Sequence, residues 1–240
     1  MEPAQYLEHL ARDSELLADA AETAGPAADV PTCPGWNVEE LLRHCAGGDI
    51  WARTIVDTGQ RSSADLPADA PTGAALVPYF RDGARALGQL LAGTDLTASV
   101  WTFAASDRTA GFWCRRRAQE TSVHRFDAQT AAGDPAPIDP EFAIDGIDEF
   151  FDVFLPRLAV GVATEGETLH FHCTDVEGEW LVARDGEELR VTREHAKGDV
   201  AARGSASDLL LFIWGRVPAS RLEVFGDTAA LERFRNAVRV

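Results

Sequence analysis

Positive charge is scarce in this sequence. Its 240 residues include 39 Asp and Glu against 22 Lys and Arg, which gives a net charge of −17, and its one lysine is Lys197. Affinity for nucleic acid and for anionic membrane surfaces depends on basic side chains that neutralise phosphates. The composition therefore argues against a protein that binds nucleic acid and against one that binds an acidic membrane surface.

Long apolar runs and closely spaced cysteines are also missing. No stretch of about 18 apolar residues occurs, so no transmembrane helix is predicted. The N-terminal residues mix acids into an apolar pattern and lack the basic start and apolar block of a secretory signal. Four cysteines (Cys33, Cys45, Cys114 and Cys173) show no C-x-x-C spacing. These absences predict a cytoplasmic protein with reduced thiols.

The first 133 residues show helical periodicity. Asn37 followed by Glu40 is typical of a capping box, which places a helix start there. The other three predicted helices are Pro3–Ala24, about Thr72–Leu91 and about Thr109–Ala132. Four helices of similar length predict an up-down four-helix bundle.

The second part of the chain has a different pattern. The segment GDPAPIDP at 133–140 reads as a linker because it holds three prolines. A helix at 141–158 follows, and then short strands separated by glycine-containing turns. The predicted strands are 167–174, 179–184, 188–193, 199–203 and 222–225, with helices at 205–214 and 228–237. The fold class is therefore α+β with two domains, 1–138 and 139–240.

Two helices of the predicted bundle carry residues that suit a metal ion. Glu120 and His124 are four residues apart, so both project from one face of a helix. His44 is the one histidine in an otherwise apolar stripe on another helix. Two imidazoles and a carboxylate with an open position match catalytic zinc sites, and the same set suits ferrous iron.

Each part of this pattern also has an ordinary structural interpretation. Glu120 and His124 could form a salt-bridged surface pair, and His44 could be a hydrogen-bonded core histidine. Cys45 is interpreted as a core thiol. His170 and His172 alternate on one strand face, which fits a second metal site or, as the preferred interpretation, a solvated strand face.

Four segments resemble a known family. The run PTCPGWNV at 31–38 with His44 after it, and the run RAQETSVHRFD at 117–127, resemble the two signatures of the mycothiol-dependent maleylpyruvate isomerase N-terminal domain, a DinB-like bundle. The stretches 204–216 and 224–227 are similar to that family's sterol-carrier-like C-terminal domain. Nearly the whole chain is covered by the resemblance.

The resemblance implies a chemistry. It makes His44, Glu120 and His124 the ligands of a divalent metal, with Zn²⁺ the expected ion, and mycothiol the thiol cofactor of an actinobacterial enzyme. The implied reaction isomerises maleylpyruvate to fumarylpyruvate by thiolate addition, bond rotation and elimination. A mycothiol S-transferase acting on an electrophile and a non-enzymatic small-molecule-binding member of the family remain alternatives.

Further residues are candidates around that site. The resemblance places Arg216 near it as a clamp for a substrate carboxylate, since guanidinium fits that group bidentately; a structural arginine at a helix end is the alternative. Arg117 shares the helix face of the ligands and is expected to support them or to bind substrate. Asp127 could accept the free N–H of a ligand histidine, and Trp51 could line the pocket. The expected partners are a thiol and a small anionic or electrophilic substrate, and the chain is expected to be a monomer or homodimer.

Overall fold

Two compact units make up the fold. A computed structural model of the chain describes residues 1–63, 65–158, 166–185 and 188–238. The first unit is Met1–Ala136 and the second is Pro137–Val240. None of the helices in these ranges is both long enough and apolar enough to cross a membrane.

The first unit is the predicted helical bundle. Its helices are α1 (Pro3–Ala24), α2 (Val38–Thr58), α3 (Leu76–Gly93) and α4 (Ala110–Ala132). Helices α1 and α2 each pack against both α3 and α4, whereas α1 and α2 hardly touch. The order around the bundle is therefore α1, α4, α2, α3, and helices α2 and α4 lie side by side.

Local signals explain where these helices begin and end. Pro3 occupies the first turn of α1, and the helix stops at Gly25 with φ of 83°. The capping box of α2 is present, because Asn37 Oδ1 accepts from Glu40 N at 2.9 Å and Glu40 Oε2 accepts from Asn37 N at 2.8 Å. The start of α3 differs from the prediction: Gly73–Ala75 form a 3₁₀ turn and the α-helix begins only at Leu76.

An apolar core contributed by all four helices holds the bundle together. It includes Leu17 of α1, Leu41 of α2, Phe80 of α3 and Ala128 of α4, all fully buried. Burying such side chains stabilises a fold by about 1.5–3 kcal/mol for each large residue. The core fixes α2 against α4 and thereby the residues that face each other between them.

The second unit is a five-stranded sheet with helices. Its strands are β1 (Leu169–Cys173), β2 (Glu179–Asp185), β3 (Glu188–Thr192), β4 (Val200–Gly204) and β5 (Glu223–Phe225). Its helices are α5 (Pro140–Glu149), α6 (Leu155–Leu158), α7 (Ala206–Ile213) and α8 (Thr228–Ala237), with a 3₁₀ turn at Ala219–Arg221. The strand order is β3-β2-β1-β4-β5, and β1 pairs with β4 in parallel while the other neighbouring pairs are antiparallel.

The two faces of this sheet differ. Phe171 of β1 is fully buried and packs against Phe234 of α8 and Phe151, so this face is covered by helices. Because side chains alternate along a strand, His170 and His172 point to the opposite face. That face carries the cluster described below.

The predicted helix at 141–158 is interrupted. Residues Phe150–Phe154 form a π-helical turn, in which Leu155 N donates to Phe150 O five residues earlier. Pro156 lacks the N–H that would continue the regular pattern, so the backbone must widen before it. The turn places the rings of Phe150 and Phe154 against Trp214, at 5.1 and 5.0 Å between centroids.

Candidate metal centre

His44, Glu120 and His124 come together between α2 and α4. One potential ligand atom from each lies within 4.8 Å of the others. His44 Nε2 is 3.1 Å from Glu120 Oε1, and the two imidazole rings meet edge to face with centroids 4.9 Å apart. His44 is largely exposed and His124 is buried, so the cluster opens to solvent on the α2 side.

Asp127 orients the His124 ring. Its Oδ2 lies 2.8 Å from His124 Nδ1, and because an ionised carboxylate only accepts, Nδ1 carries the proton. The other ring nitrogen, Nε2, is then free of a proton and suited to bind a metal. The same Oδ2 accepts from Cys33 Sγ at 3.3 Å, so the carboxylate is held from two sides.

Glu120 is kept ionised by its neighbours. Arg117 Nη1 lies 2.7 Å from Oε2, and Arg116 Nε lies 3.6 Å from the same oxygen. Burial raises the pKa of this carboxyl, but Arg117 and the hydrogen bond from His44 outweigh burial and hold the pKa well below its usual range. An anionic carboxylate between two imidazoles is the form that a cation requires.

Arg117 is an internal part of the bundle. Its side chain is 1% exposed and pairs with both Glu120 and Asp49, whose Oδ1 lies 2.9 Å from Nη2. Nη2 also donates to Cys45 O at 3.2 Å. A Cβ on Gly48 would lie 2.9 Å from Arg117 Cζ. The guanidinium therefore occupies the space that a side chain at position 48 would need.

Asp49 is the functional neighbour that the sequence interpretation missed. It is a fully buried carboxylate within the otherwise apolar segment CAGGDIWA of α2. Buried carboxylates are almost always paired, so its position could have indicated an arginine partner. Which arginine it meets depends on the packing of α2 against α4.

Two tryptophans have different surroundings. The Trp36 ring lies 5.1 Å from the His44 ring and 6.4 Å from the His124 ring, so it borders the cluster. Trp51 donates from Nε1 to Ser62 O at 2.9 Å and packs edge to face on Trp113. The pocket role of Trp51 stays a prediction, and Trp36 is the indole next to the candidate ligands.

Arg216 belongs to the second unit, in the turn after α7. Its backbone N donates to Leu211 O and its Nη1 donates to Trp214 O, both at 2.7 Å. These contacts close the end of the helix, which is the structural alternative considered for this residue. Its role as a carboxylate clamp stays a prediction.

The donor set fits a divalent metal. Two imidazoles and one carboxylate form the ligand set of catalytic zinc sites, which leave one position open. The carboxylate is ionised, and the His124 tautomer is fixed by Asp127. Both properties are needed for metal binding and neither requires a rearrangement of the described residues.

Comparison with known proteins covers most of the chain. Residues 7–129 match the family model of the mycothiol maleylpyruvate isomerase (MDMPI) N-terminal domain, and residues 141–233 match that of the MDMPI C-terminal domain. No curated protein matches the chain significantly.

Two solved structures share the fold. The crystal structure of the mycothiol-dependent maleylpyruvate isomerase has a TM-score of 0.59, and that of a histidine-to-alanine mutant of it has 0.64. In both cases 14% of residues are identical and 93% of each chain is covered. Since the two family models together span most of its length, the chain belongs to the mycothiol-dependent maleylpyruvate isomerase family.

Proposed function

We propose that this chain is a metal-dependent and mycothiol-dependent isomerase that acts on maleylpyruvate or a similar small unsaturated dianion. The observation that carries the proposal is the meeting of His44, Glu120 and His124 within 4.8 Å between α2 and α4. Family membership and the shared fold support it. All three residues would hold the metal.

The bound groups supply the nucleophile. A divalent metal such as Zn²⁺ lowers the pKa of a thiol, which is ordinarily near 8.5, so that a thiolate exists at neutral pH. Mycothiol bound there would supply this thiolate, which is the nucleophile that cis–trans isomerisation of an electron-poor double bond requires.

The chain's own residues hold the ligands in place. Asp127 keeps the proton on His124 Nδ1, and Arg117 keeps Glu120 anionic and fixes its carboxylate plane. Arg117 is buried and paired with two carboxylates. These contacts favour a role in supporting the metal ligands over a role in binding substrate, the two possibilities that the sequence left open. The Trp36 ring lies beside both imidazoles.

The metal assignment is tested by metal content. Untagged protein is purified, and zinc is measured in the wild type, in His124→Ala and in His9→Ala. His9 is a partly buried histidine that contacts Arg12 outside the cluster, so His9→Ala is the matched control. We expect His124→Ala to lose about one equivalent of metal relative to both; unchanged metal in His124→Ala would contradict the assignment.

The reaction is tested with purified protein, mycothiol and maleylpyruvate. We expect fumarylpyruvate to form at a rate that depends on the thiol, with no net consumption of mycothiol. Accumulation of a stable thiol adduct would instead identify an S-transferase. Formation of product without thiol, or no turnover by metal-loaded protein, would count against the isomerase.

The predicted role of Arg216 as a carboxylate clamp is tested by the KM for the substrate. If Arg216 binds a substrate carboxylate, Arg216→Ala should raise KM for the dianion and leave metal content unchanged, and Arg216→Lys should recover only part of the loss because it lacks the planar fork. An unchanged KM would assign Arg216 to the end of α7 alone.

A further inference from the structure

A second group of histidines lies on the outer face of the sheet. His170 and His172 project from β1, and Glu179 begins β2 directly opposite His172 in the strand register. His195 comes from the segment that joins β3 to β4. One potential ligand atom from each of the four residues lies within 4.8 Å of the others.

The three imidazoles converge on one carboxylate. His172 Nδ1 lies 2.7 Å from Glu179 Oε1, while His195 Nδ1 and His170 Nε2 lie 2.8 and 3.3 Å from Oε2. With Zn–N bonds of about 2.0–2.1 Å, two ligand atoms of a tetrahedral zinc ion are about 3.3 Å apart. The His170 distance equals that value and the other two are about 0.5–0.6 Å shorter, so small outward shifts of His172 and His195 would bring these nitrogens to coordination distance.

The joining segment is fixed at both ends, which holds His195 above the strand. Arg193 Nε donates to Asp148 Oδ1 at 2.8 Å, and Asp199 Oδ2 accepts from Thr168 N and Oγ1 at 2.9 and 2.8 Å. Gly198 touches β1 so closely that a Cβ there would lie 3.0 Å from His170 N. The position of His195 therefore follows from the backbone and not from a free side chain.

His170 provides an independent observation. Its side chain is 8% exposed, and its Nε2 is buried without a well-aligned hydrogen bond among the described residues. A buried polar atom of this kind is unfavourable unless a hydrogen-bond donor, an acceptor or a metal ion binds it.

We propose that His170, His172, His195 and Glu179 form a second metal site, selective for Zn²⁺-type ions. Three nitrogens and one carboxylate suit Zn²⁺, Co²⁺ and Ni²⁺, whereas Mg²⁺ and Ca²⁺ require oxygen ligands. A bound cation would take the place of the direct contacts between the rings and the carboxylate, and it would give His170 Nε2 a partner.

The site opens into a pocket. The three histidines line a cavity of about 560 Å³ together with Lys197, Asp199 and Arg203. A metal there is accessible from solvent and exchangeable, in contrast to a sealed structural zinc. Five of the six histidines of the chain belong to the two clusters, and only His9 lies outside both.

The test separates this site from the one between α2 and α4. Untagged full-length protein carrying His44→Ala and His124→Ala is titrated with Zn²⁺ by calorimetry and with Co²⁺ by visible absorption. We expect about one equivalent of each ion to bind, without competition from excess Mg²⁺. If this variant binds no Zn²⁺, the second site does not exist, whatever the outcome for the proposed isomerase.

Single changes in the sheet cluster then identify the ligands. Adding His172→Ala or His195→Ala should weaken Zn²⁺ binding by at least about tenfold, and adding His9→Ala should leave it unchanged. The His195 side chain is 83% exposed, so its removal leaves folding intact and circular dichroism verifies this. Equal Zn²⁺ affinity in the His195→Ala, His172→Ala and His9→Ala proteins would overturn the proposal.

Discussion

Arg117 carries a buried positive charge between carboxylates of two neighbouring helices. Asp49 on α2 and Glu120 on α4 both lie within 2.9 Å of its guanidinium nitrogens. A guanidinium stays charged inside a protein and presents several donors in one plane, so it can serve both acids at once. The α2–α4 contact and the ionisation of Glu120 therefore depend on the same side chain.

Gly48 gives a prediction at the residue scale. Replacing a glycine inside a helix with alanine ordinarily stabilises by about 0.5–1 kcal/mol. At Gly48 the added methyl would collide with Arg117, so Gly48→Ala should instead destabilise by about 1–3 kcal/mol. The measurement is the free energy of unfolding in urea.

A matched glycine provides the control for this change. Gly83 lies within α3, and a Cβ there meets nothing within 4 Å. Gly83→Ala should therefore show the ordinary stabilisation. The explanation fails if both alanine variants change stability in the same direction.

Cys114 gives a pH-dependent prediction. Burial raises the pKa of its thiol to about 11, whereas a thiol in the unfolded chain titrates near pH 8.5. The neutral thiol is favoured in the fold, so its contribution to stability is complete below about pH 8.5 and falls as the pH rises from there to about 11. Urea unfolding between pH 7.5 and 10.5 should show a shallower alkaline loss in Cys114→Ala than in the wild type. Identical slopes would contradict this.

The residues of the candidate centre could be predicted from the sequence to different degrees. Glu120 and His124 could be paired by their helical spacing alone, and His44 was identified both by its place in an apolar stripe and by the motif that carries it. Asp49 was not assigned a role, because its partner lies on another helix and the order of helices around a bundle is not encoded in local periodicity. His195 was missed because the sheet register and the fixed joining segment bring it to β1.

At the scale of elements, α1 and α4 share a buried ion pair. Arg125 Nε of α4 lies 3.5 Å from Asp13 Oδ1 of α1, and both side chains are buried. Arg125 also donates to Gln129 Oε1 and Ala136 O at 2.6 and 3.0 Å. Removing one partner of a buried pair leaves an uncompensated charge, which is costlier than losing the pair itself.

Asp13→Ala should therefore destabilise the bundle by about 3–5 kcal/mol. Asp19 on the same helix pairs with Arg81 but is exposed, so Asp19→Ala should cost less than about 1 kcal/mol. Chemical denaturation followed by circular dichroism compares the two variants. Equal losses would show that the Asp13 pair contributes no more than a surface contact.

The boundaries of helices were predicted most accurately where strong local signals mark them. The bounds of α1 and α8 agree with the prediction, since proline, glycine and an acidic cap mark them. Pro156 is a local signal for an irregularity after α5, but the π turn at Phe150–Phe154 was not predicted, because its aromatic residues fit a regular helical stripe and their packing on Trp214 is not encoded locally.

At the scale of the whole molecule, the net charge of −17 acts against compactness. Like charges repel over about 10 Å at 0.1 M salt, and the repulsion grows at lower ionic strength. The thermal midpoint should therefore rise as KCl increases from about 10 to 150 mM, with each 1 kcal/mol shifting it by about 2–4 °C. A midpoint that falls over this range would mean that screened ion pairs outweigh the general repulsion.

The division of the chain into a helical and an α+β part was predictable, because the hydrophobic period changes after the proline-rich linker. The arrangement inside each part was not. Diagonal placement of α1 and α2 and the parallel pairing of β1 with β4 arise from contacts between segments far apart in sequence.

The position of Trp36 makes the candidate metal centre optically observable. Its indole lies beside both His44 and His124, while Trp51, Trp101 and Trp113 form a separate aromatic group. A paramagnetic ion such as Cu²⁺ held by those histidines would quench the fluorescence of Trp36 at short range, and Trp36→Phe would remove that component of the signal. Occupancy of the centre between α2 and α4 could thus be followed in solution without a label.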